Sequence, residues 1–219
     1  AAATLAGEGG RIDVARAREA MQLRFARYDK GGEEHFNILS AYHKSLRGSD
    51  ADGALYWMAR MIEGGQDPLI IFRRALAMAA EDIGMADPQA LQLAVAARQA
   101  YQILGPPEGF LPLAEITVYL ATAPKSNASY RALNAALDAA RRTPAAAVPL
   151  HIRNAPTTLM KDLGYHEGYR YAHDYEDAFV PQQHLPDELK GTRFYEPGSL
   201  GFEKEVQKRI EYWDQRRRE

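Results

Sequence analysis

Cysteine does not occur anywhere in the 219 residues, which excludes disulfide scaffolds, thiolate nucleophiles and cysteine-held zinc or iron–sulfur sites. Long apolar runs are missing too: no window approaches the roughly 18 residues of a membrane span, so no membrane partner is expected. There is no glycine-rich phosphate loop ending in Gly-Lys-Ser/Thr, no His-Glu-x-x-His unit and no Gly-x-Ser-x-Gly elbow. Neither charge dominates, with 27 Lys and Arg against 29 Asp and Glu for a net of -2. A wholly basic, nucleic-acid-coating surface is therefore not expected, although a local basic face would vanish in the sum. The expectation is a chain with no catalytic, cofactor or metal site of its own.

What is present reads as a globular, all-α protein. Hydrophobic residues make up 46% and charged residues 26%, ordinary values for a domain with a core. The first ten residues lack a basic stretch followed by a long apolar one, so no signal peptide is read there. The opening Ala/Gly stretch without an initiator methionine has the look of a cut end. Val14, Ala17, Met21, Phe25 and Tyr28 recur at helical spacing, and Gly31-Gly32 stops that helix. Phe36, Leu39, His43 and Leu46 form the inward stripe expected of the next. Asp50 or Asp52 caps a third, running through Leu55, Met58 and Ile62 to Gly64-Gly65.

Two segments then open alike, at Asp67-Pro68 and Asp87-Pro88, and close at Gly84 and Gly105. Aspartate accepts from orphan N–H groups, proline at the first helical position loses no hydrogen bond, and glycine takes the left-handed stop. A further helix is expected over Leu113, Ile116 and Leu120. Another follows Ser126-Asn127, with Tyr130, Leu133 and Leu137 inward. Prolines make 143–156 an extended crossing, followed by a short helix around Thr158 to Leu163. From Gly164 to Pro197 the chain is irregular but rich in rings: Tyr165, Tyr169, Tyr171, Tyr175, Phe179, Phe194 and Tyr195 give an ordered, aromatic-rich wrap. Leu200 to Arg218 forms a charged helix with Phe202, Val206, Ile210 and Trp213 as its contact edge.

Glu81-Asp82, near the end of a helix, reads as solvated or salt-bridged rather than as a magnesium site. His35 and His43 lie too far apart on one helix for adjacent-turn metal ligation, and His166 and His173-Asp174 lack an assured third ligand. Anion contact is the remaining chemistry. Lys44 and Arg47 lie three apart on a helix, Lys125 sits at a helix start, and Arg153 and Lys161 add to the basic set. Tyr169 and Arg170 offer the ring and cation of a single-strand binder. These seven are the candidate DNA or anion contacts.

Several motifs carry a resemblance. Tyr28 to Asp50, with its His43-Lys-Ser-Leu-Arg47, resembles the start of the C-terminal region of the replication-associated recombination ATPases. These are AAA+ proteins related to clamp loaders and to the Werner-helicase-interacting protein. The likeness continues through Ala80-Glu-Asp-Ile-Gly84, Ala123-Pro-Lys-Ser-Asn127, Val148 to Pro156, Leu159-Met-Lys161 and Leu185 to Tyr195. His166 stands where glycine is commoner, and Phe36 where tyrosine is usual. The resemblance implies a helical oligomerisation domain like that after the AAA+ core of clamp-loader subunits. Residues 1–30 would be a linker and helix leading from that core, and 31–219 the domain itself. It further implies a homotetramer acting with DNA, single-stranded or forked, and with replication-fork proteins in the bacterial cytoplasm. ATP and magnesium would belong to the parent protein and no cofactor to this part.

Overall fold

Aspartates at three helix starts set the punctuation of the first part of the chain. Asp50 Oδ1 accepts from Gly53 N at 2.8 Å, Asp67 Oδ1 from Leu69 N at 2.9 Å, and Asp87 Oδ1 from Gln89 N at 3.1 Å. Each satisfies one of the backbone donors a helix leaves free at its first turn. The computed structural model describes residues 33–218; the helix read at Val14 to Tyr28 and the linker at 1–30 lie outside them. All regular structure among the described residues is helical.

The chain divides after Asn127 into two units. The first holds α1 (Glu33–Arg47), α2 (Ala51–Glu63), α3 (Pro68–Met78), α4 (Gln89–Leu104) and α5 (Phe110–Thr122). Helix α3 does not stop at Met78: it widens into a π-helical turn, Ala79–Ile83, and Gly84 then takes φ 50° and ψ -128°, a backbone region that side chains make costly. Helix α1 packs on α2, α3 and α5, and α4 on α3 and α5. Tyr42, Leu46, Met61, Phe72, Met78, Leu113 and Leu120 are fully buried among them. Leu39, His43 and Leu46 face inward as expected, but Phe36 is 64% exposed. The inward positions at that end of α1 are those of His35 and Ile38 instead, one residue before and two residues after the phenylalanine.

Thr117, on α5, is the polar exception in this core. It donates to Leu113 O at 2.8 Å, so its single hydrogen is in use. The Tyr42 hydroxyl, 3.0 Å from Thr117 Oγ1, must therefore be the donor of that pair. Burial pushes the Tyr42 hydroxyl up to about 12.

The second unit holds α6 (Ala128–Arg142), α7 (Thr158–Asp162) and α8 (Glu203–Arg216), joined by extended chain and single 3-10 turns. In α6 the expectation is overturned: Tyr130, Leu133 and Leu137 are 48%, 58% and 43% exposed, while Ala128 and Ala139 are buried. The inward face is the small-residue one, because alanine allows a close backbone approach and the larger residues are left on the other side. The wrap from Gly164 is ordered by specific ties. Phe179 stacks on Trp213 of α8 at 4.8 Å, and the Arg193 guanidinium pairs with Asp214. Val206, Ile210 and Trp213 form the half-buried edge of α8. The rings divide, however, since Tyr169, Tyr171 and Tyr175 are exposed whereas Tyr165, Phe194 and Tyr195 are half-buried.

Nothing in the sequence singles out Glu203, yet it is fully buried. Its carboxylate accepts from Tyr195 O–H at 2.8 Å and from Gly198 N at 2.7 Å. A buried carboxylate held by two donors clamps the end of the wrap to the first turn of α8.

Candidate functional site

Three of the motifs that lie far apart in sequence converge in the first unit. From α1, Arg47 Nε donates to Asp82 Oδ1 at 2.6 Å and Nη2 donates to Oδ2 at 3.1 Å, a two-pronged pair. Asp82 comes from the π-helical turn, which leaves it mostly buried. Glu81 lies 3.6 Å from Arg47 Nη2 and is more exposed. The acidic pair is thus salt-bridged, as its place at a helix end suggested. The third motif closes on the same point: Ser126 N donates to Asp82 O at 2.7 Å.

His43 completes the node, with Nε2 2.9 Å from Arg47 Nη2 and 3.2 Å from Asp82 Oδ2. The contact with Asp82 would be an ion pair only if the ring were protonated. Burial pushes the His43 pKa down; Asp82 raises it, Arg47 and Arg74 lower it further, and Glu81 raises it. The ring is therefore neutral at pH 7, with Nε2 accepting from the guanidinium and Nδ1 carrying the hydrogen. That Nδ1 is buried without a partner among the described residues. His43, Glu81 and Asp82 offer ligand atoms within 4.8 Å of one another, but the cation lying against all three is the Arg47 guanidinium.

The seven candidate contact residues are divided between the two units. Arg47 is engaged as above. Lys125 turns back on α5, its Nζ donating to Leu120 O at 3.0 Å, Ala121 O at 2.9 Å and Ala123 O at 2.6 Å. It caps the carbonyls that the helix end leaves free, and burial pushes its pKa down with Asp82 opposing. Lys44 is exposed on α1. The other four lie in the second unit. Arg153 donates from Nε to Val148 O at 2.6 Å and holds its guanidinium 4.9 Å from the Tyr165 ring centroid. Lys161 lines an open cavity of about 630 Å3 together with Asn154, Ala155, Tyr165, His166 and Glu167. The Tyr169 ring lies against His166 with centroids 4.8 Å apart and planes tilted by 32°, and the Arg170 guanidinium donates to Pro181 O. His166 has φ 67°, the left-handed region that favours glycine, at the position where the resembled family commonly has that residue. Its ring contact with Tyr169 is what the sequence did not disclose.

Among the described residues the regular structure is helical, and the signature residues tie those helices together. The chain belongs to the AAA+ ATPase C-terminal family described as MgsA AAA+ ATPase C terminal, whose model matches residues 48–214, and residues 1–47 match a second model described as AAA C-terminal domain. It is 50% identical over 188 residues to replication-associated recombination protein A of Coxiella burnetii, covering 85% of this chain and 43% of that protein. Against an uncharacterised AAA domain-containing protein of Mycobacterium tuberculosis it is 44% identical over 210 residues, covering 96% of this chain and 46% of that one. Against ATPase WRNIP1 of Dictyostelium discoideum it is 45% identical over 170 residues, covering 77% and 19%. The chain thus spans less than half the length of these relatives. The boundary between the two family models, at residues 47 and 48, falls inside the first unit, because α1 packs on α2 and α5. No helix among the described residues is long and apolar enough to cross a membrane.

Proposed function

We propose that this chain is the non-catalytic C-terminal assembly module of an ATP-dependent protein that maintains DNA replication and recombination. The observation that carries the reading is the surface of α4 and α5. Leu91, Leu93, Val95, Ile103 and Leu104 on α4 and Leu111 and Val118 on α5 are all exposed, and an apolar cleft of about 270 Å3 lies between the helices, walled by Leu93, Ala97, Ala100, Pro112, Ile116 and Tyr119. Apolar exposure on this scale marks an interaction surface. Across their whole length the two helices carry one charge of each sign, Arg98 and Glu115. A face balanced in this way is complementary to itself under a two-fold operation, so the partner is a second copy; this face pairs two copies, and the homotetramer is what the family resemblance implies. Residues 1–30 connect to the AAA+ core and 31–219 form the oligomerisation domain. ATP and magnesium act in that core, and the whole works in the bacterial cytoplasm at the nucleoid, with replication-fork proteins as further partners. Light scattering at about 10 μM tests the assembly: a tetramer is expected, with Leu93→Glu and Leu104→Glu together giving a smaller species of unchanged helicity. A monomeric parent chain, or a tetramer that survives both substitutions, overturns it.

A second reading is favoured by a cavity in the second unit lined by Lys161, Tyr165 and His166, with Arg153 against the Tyr165 ring and Tyr169 against His166: contact with single-stranded or forked DNA. Affinity for labelled oligonucleotides that falls as salt rises is the expected result; no binding at 50 mM salt excludes it.

A further inference from the structure

We propose that the cavity between residues 154–155, α7 and the 165–167 turn holds one nucleotide unit of a single strand, and that it prefers a base carrying an amino group. The proposal rests on the second reading above and assigns it a site. Three features of the cavity select the ligand. The cation that lines it is the exposed Lys161, a mobile point charge suited to a phosphate. Arg153 is outside the lining, its Nε donating to Val148 O and its guanidinium lying against the Tyr165 ring. Its rings, Tyr165 and His166, offer the faces on which bases stack. His166 is held there by its own backbone, since its N donates to Leu150 O at 3.0 Å and its ring lies against Tyr169. A side chain kept at φ 67° by both a hydrogen bond and a ring contact is a strained position retained by its surroundings.

The third feature is the pair of polar groups Asn154 and Glu167. Glu167 places an anion in a cavity otherwise suited to an anion, and it repels a bare phosphate or sulfate. A carboxylate only accepts hydrogen bonds. Its complement on a nucleotide is an exocyclic amino group, as on cytosine; thymine offers only its N3–H, flanked by two carbonyl oxygens that a carboxylate repels. The asparagine amide both donates and accepts and so serves the neighbouring base edge. The cavity volume of about 630 Å3 is within the roughly 300–1,000 Å3 of small-ligand sites. The same chemistry would recognise a free mononucleotide; the exposed rings of Tyr169 and Tyr171 beyond the cavity favour a strand that continues past it.

The test is fluorescence anisotropy with labelled oligo(dC) and oligo(dT) of equal length, at two salt concentrations, for the full chain and three variants. The parent chain is expected to bind oligo(dC) several-fold more tightly than oligo(dT). Lys161→Met should weaken both about tenfold and lower the salt slope by about one. Glu167→Gln should abolish the preference while leaving oligo(dT) affinity unchanged or higher, since it removes a repulsive charge. His166→Gly, which relieves backbone strain and keeps the fold, should weaken both oligomers by the loss of a stacking face. Binding of the parent with no change in any variant overturns this site but leaves the second reading standing. No binding by the parent overturns both. Free CMP that displaces oligo(dC) at equal nucleotide concentration overturns the assignment to a strand.

Discussion

Replacing Arg47 with methionine should reverse the sign of the pH dependence that His43 contributes to stability. The substitution keeps the aliphatic stem and removes the guanidinium, leaving the Asp82 carboxylate, whose side chain is 11% exposed, without its two-pronged partner. Breaking a buried pair in this way costs about 3–5 kcal/mol. Because the Arg47 side chain is itself 47% exposed and water reaches this side of the node, about 2–3 kcal/mol is the expected loss at pH 8. The pH dependence follows from what remains. In the parent chain the His43 pKa lies below its ordinary value of 6.5, chiefly by burial. Its contribution is thus present above pH 6.5 and is lost as pH falls through the lowered folded value. Without Arg47 the ring nitrogen 3.2 Å from Asp82 Oδ2 faces an anion and no cation at hydrogen-bond distance, so the imidazolium takes over the pairing and its pKa moves up. That contribution is complete below 6.5 and fades as pH rises through the folded value. Urea unfolding followed by far-UV circular dichroism at pH 8 and pH 6 measures both. The deficit of the variant relative to the parent should shrink at pH 6, and His43→Gln in the Arg47→Met background should remove the shrinkage. An equal deficit at both pH values, or a variant as stable as the parent, refutes the assignment of Arg47, Asp82 and His43 as one coupled structural node.

Other perturbations give separate readings. Thr117→Val strands the Tyr42 hydroxyl without an acceptor and should cost about 2 kcal/mol, whereas Tyr42→Phe should cost about 1, and the double variant little more than Tyr42→Phe alone; additive losses in urea titrations would contradict the donor assignment. The Tyr42 hydroxyl, raised from 10.0 to about 12, contributes stability that is complete below pH 10 and lost as pH rises through 12, so Tyr42→Phe should flatten that part of an alkaline unfolding profile. Gly53→Ala would place a Cβ 2.4 Å from Asp50 Oδ2; displacing that cap should lower stability by about 1 kcal/mol in thermal melts. Glu203→Ala leaves Tyr195 O–H and Gly198 N without their acceptor, and a loss of about 3 kcal/mol with faster proteolysis within 193–202 is expected; unchanged cleavage would show that the clamp is dispensable.

The helices and their ends were legible because their causes are local. Asp67-Pro68 and Asp87-Pro88 announce two starts, Gly105 a stop, and the spacing of Leu113, Ile116 and Leu120 a buried stripe; each depends on residues within a turn or two. The same locality explains the failures. Periodicity finds the most apolar face of α6, yet Tyr130, Leu133 and Leu137 are exposed and the alanine face is buried, since which face is covered depends on shape as well as hydrophobicity. The family motifs were readable as motifs but not as a node. Arg47 and Asp82 are 35 positions apart, and only the packing of α1 against α3 and its π-helical extension brings them to 2.6 Å. Lys125, which composition and position present as an anion contact, turns its ammonium onto three carbonyls, a choice made by the helix end it happens to reach. By itself, then, the sequence determined an all-helical chain, its capping scheme and its family. The tertiary structure decided which charges are engaged with one another and which remain on the surface, because a charge's partner is set by distance in space and by the water left around it.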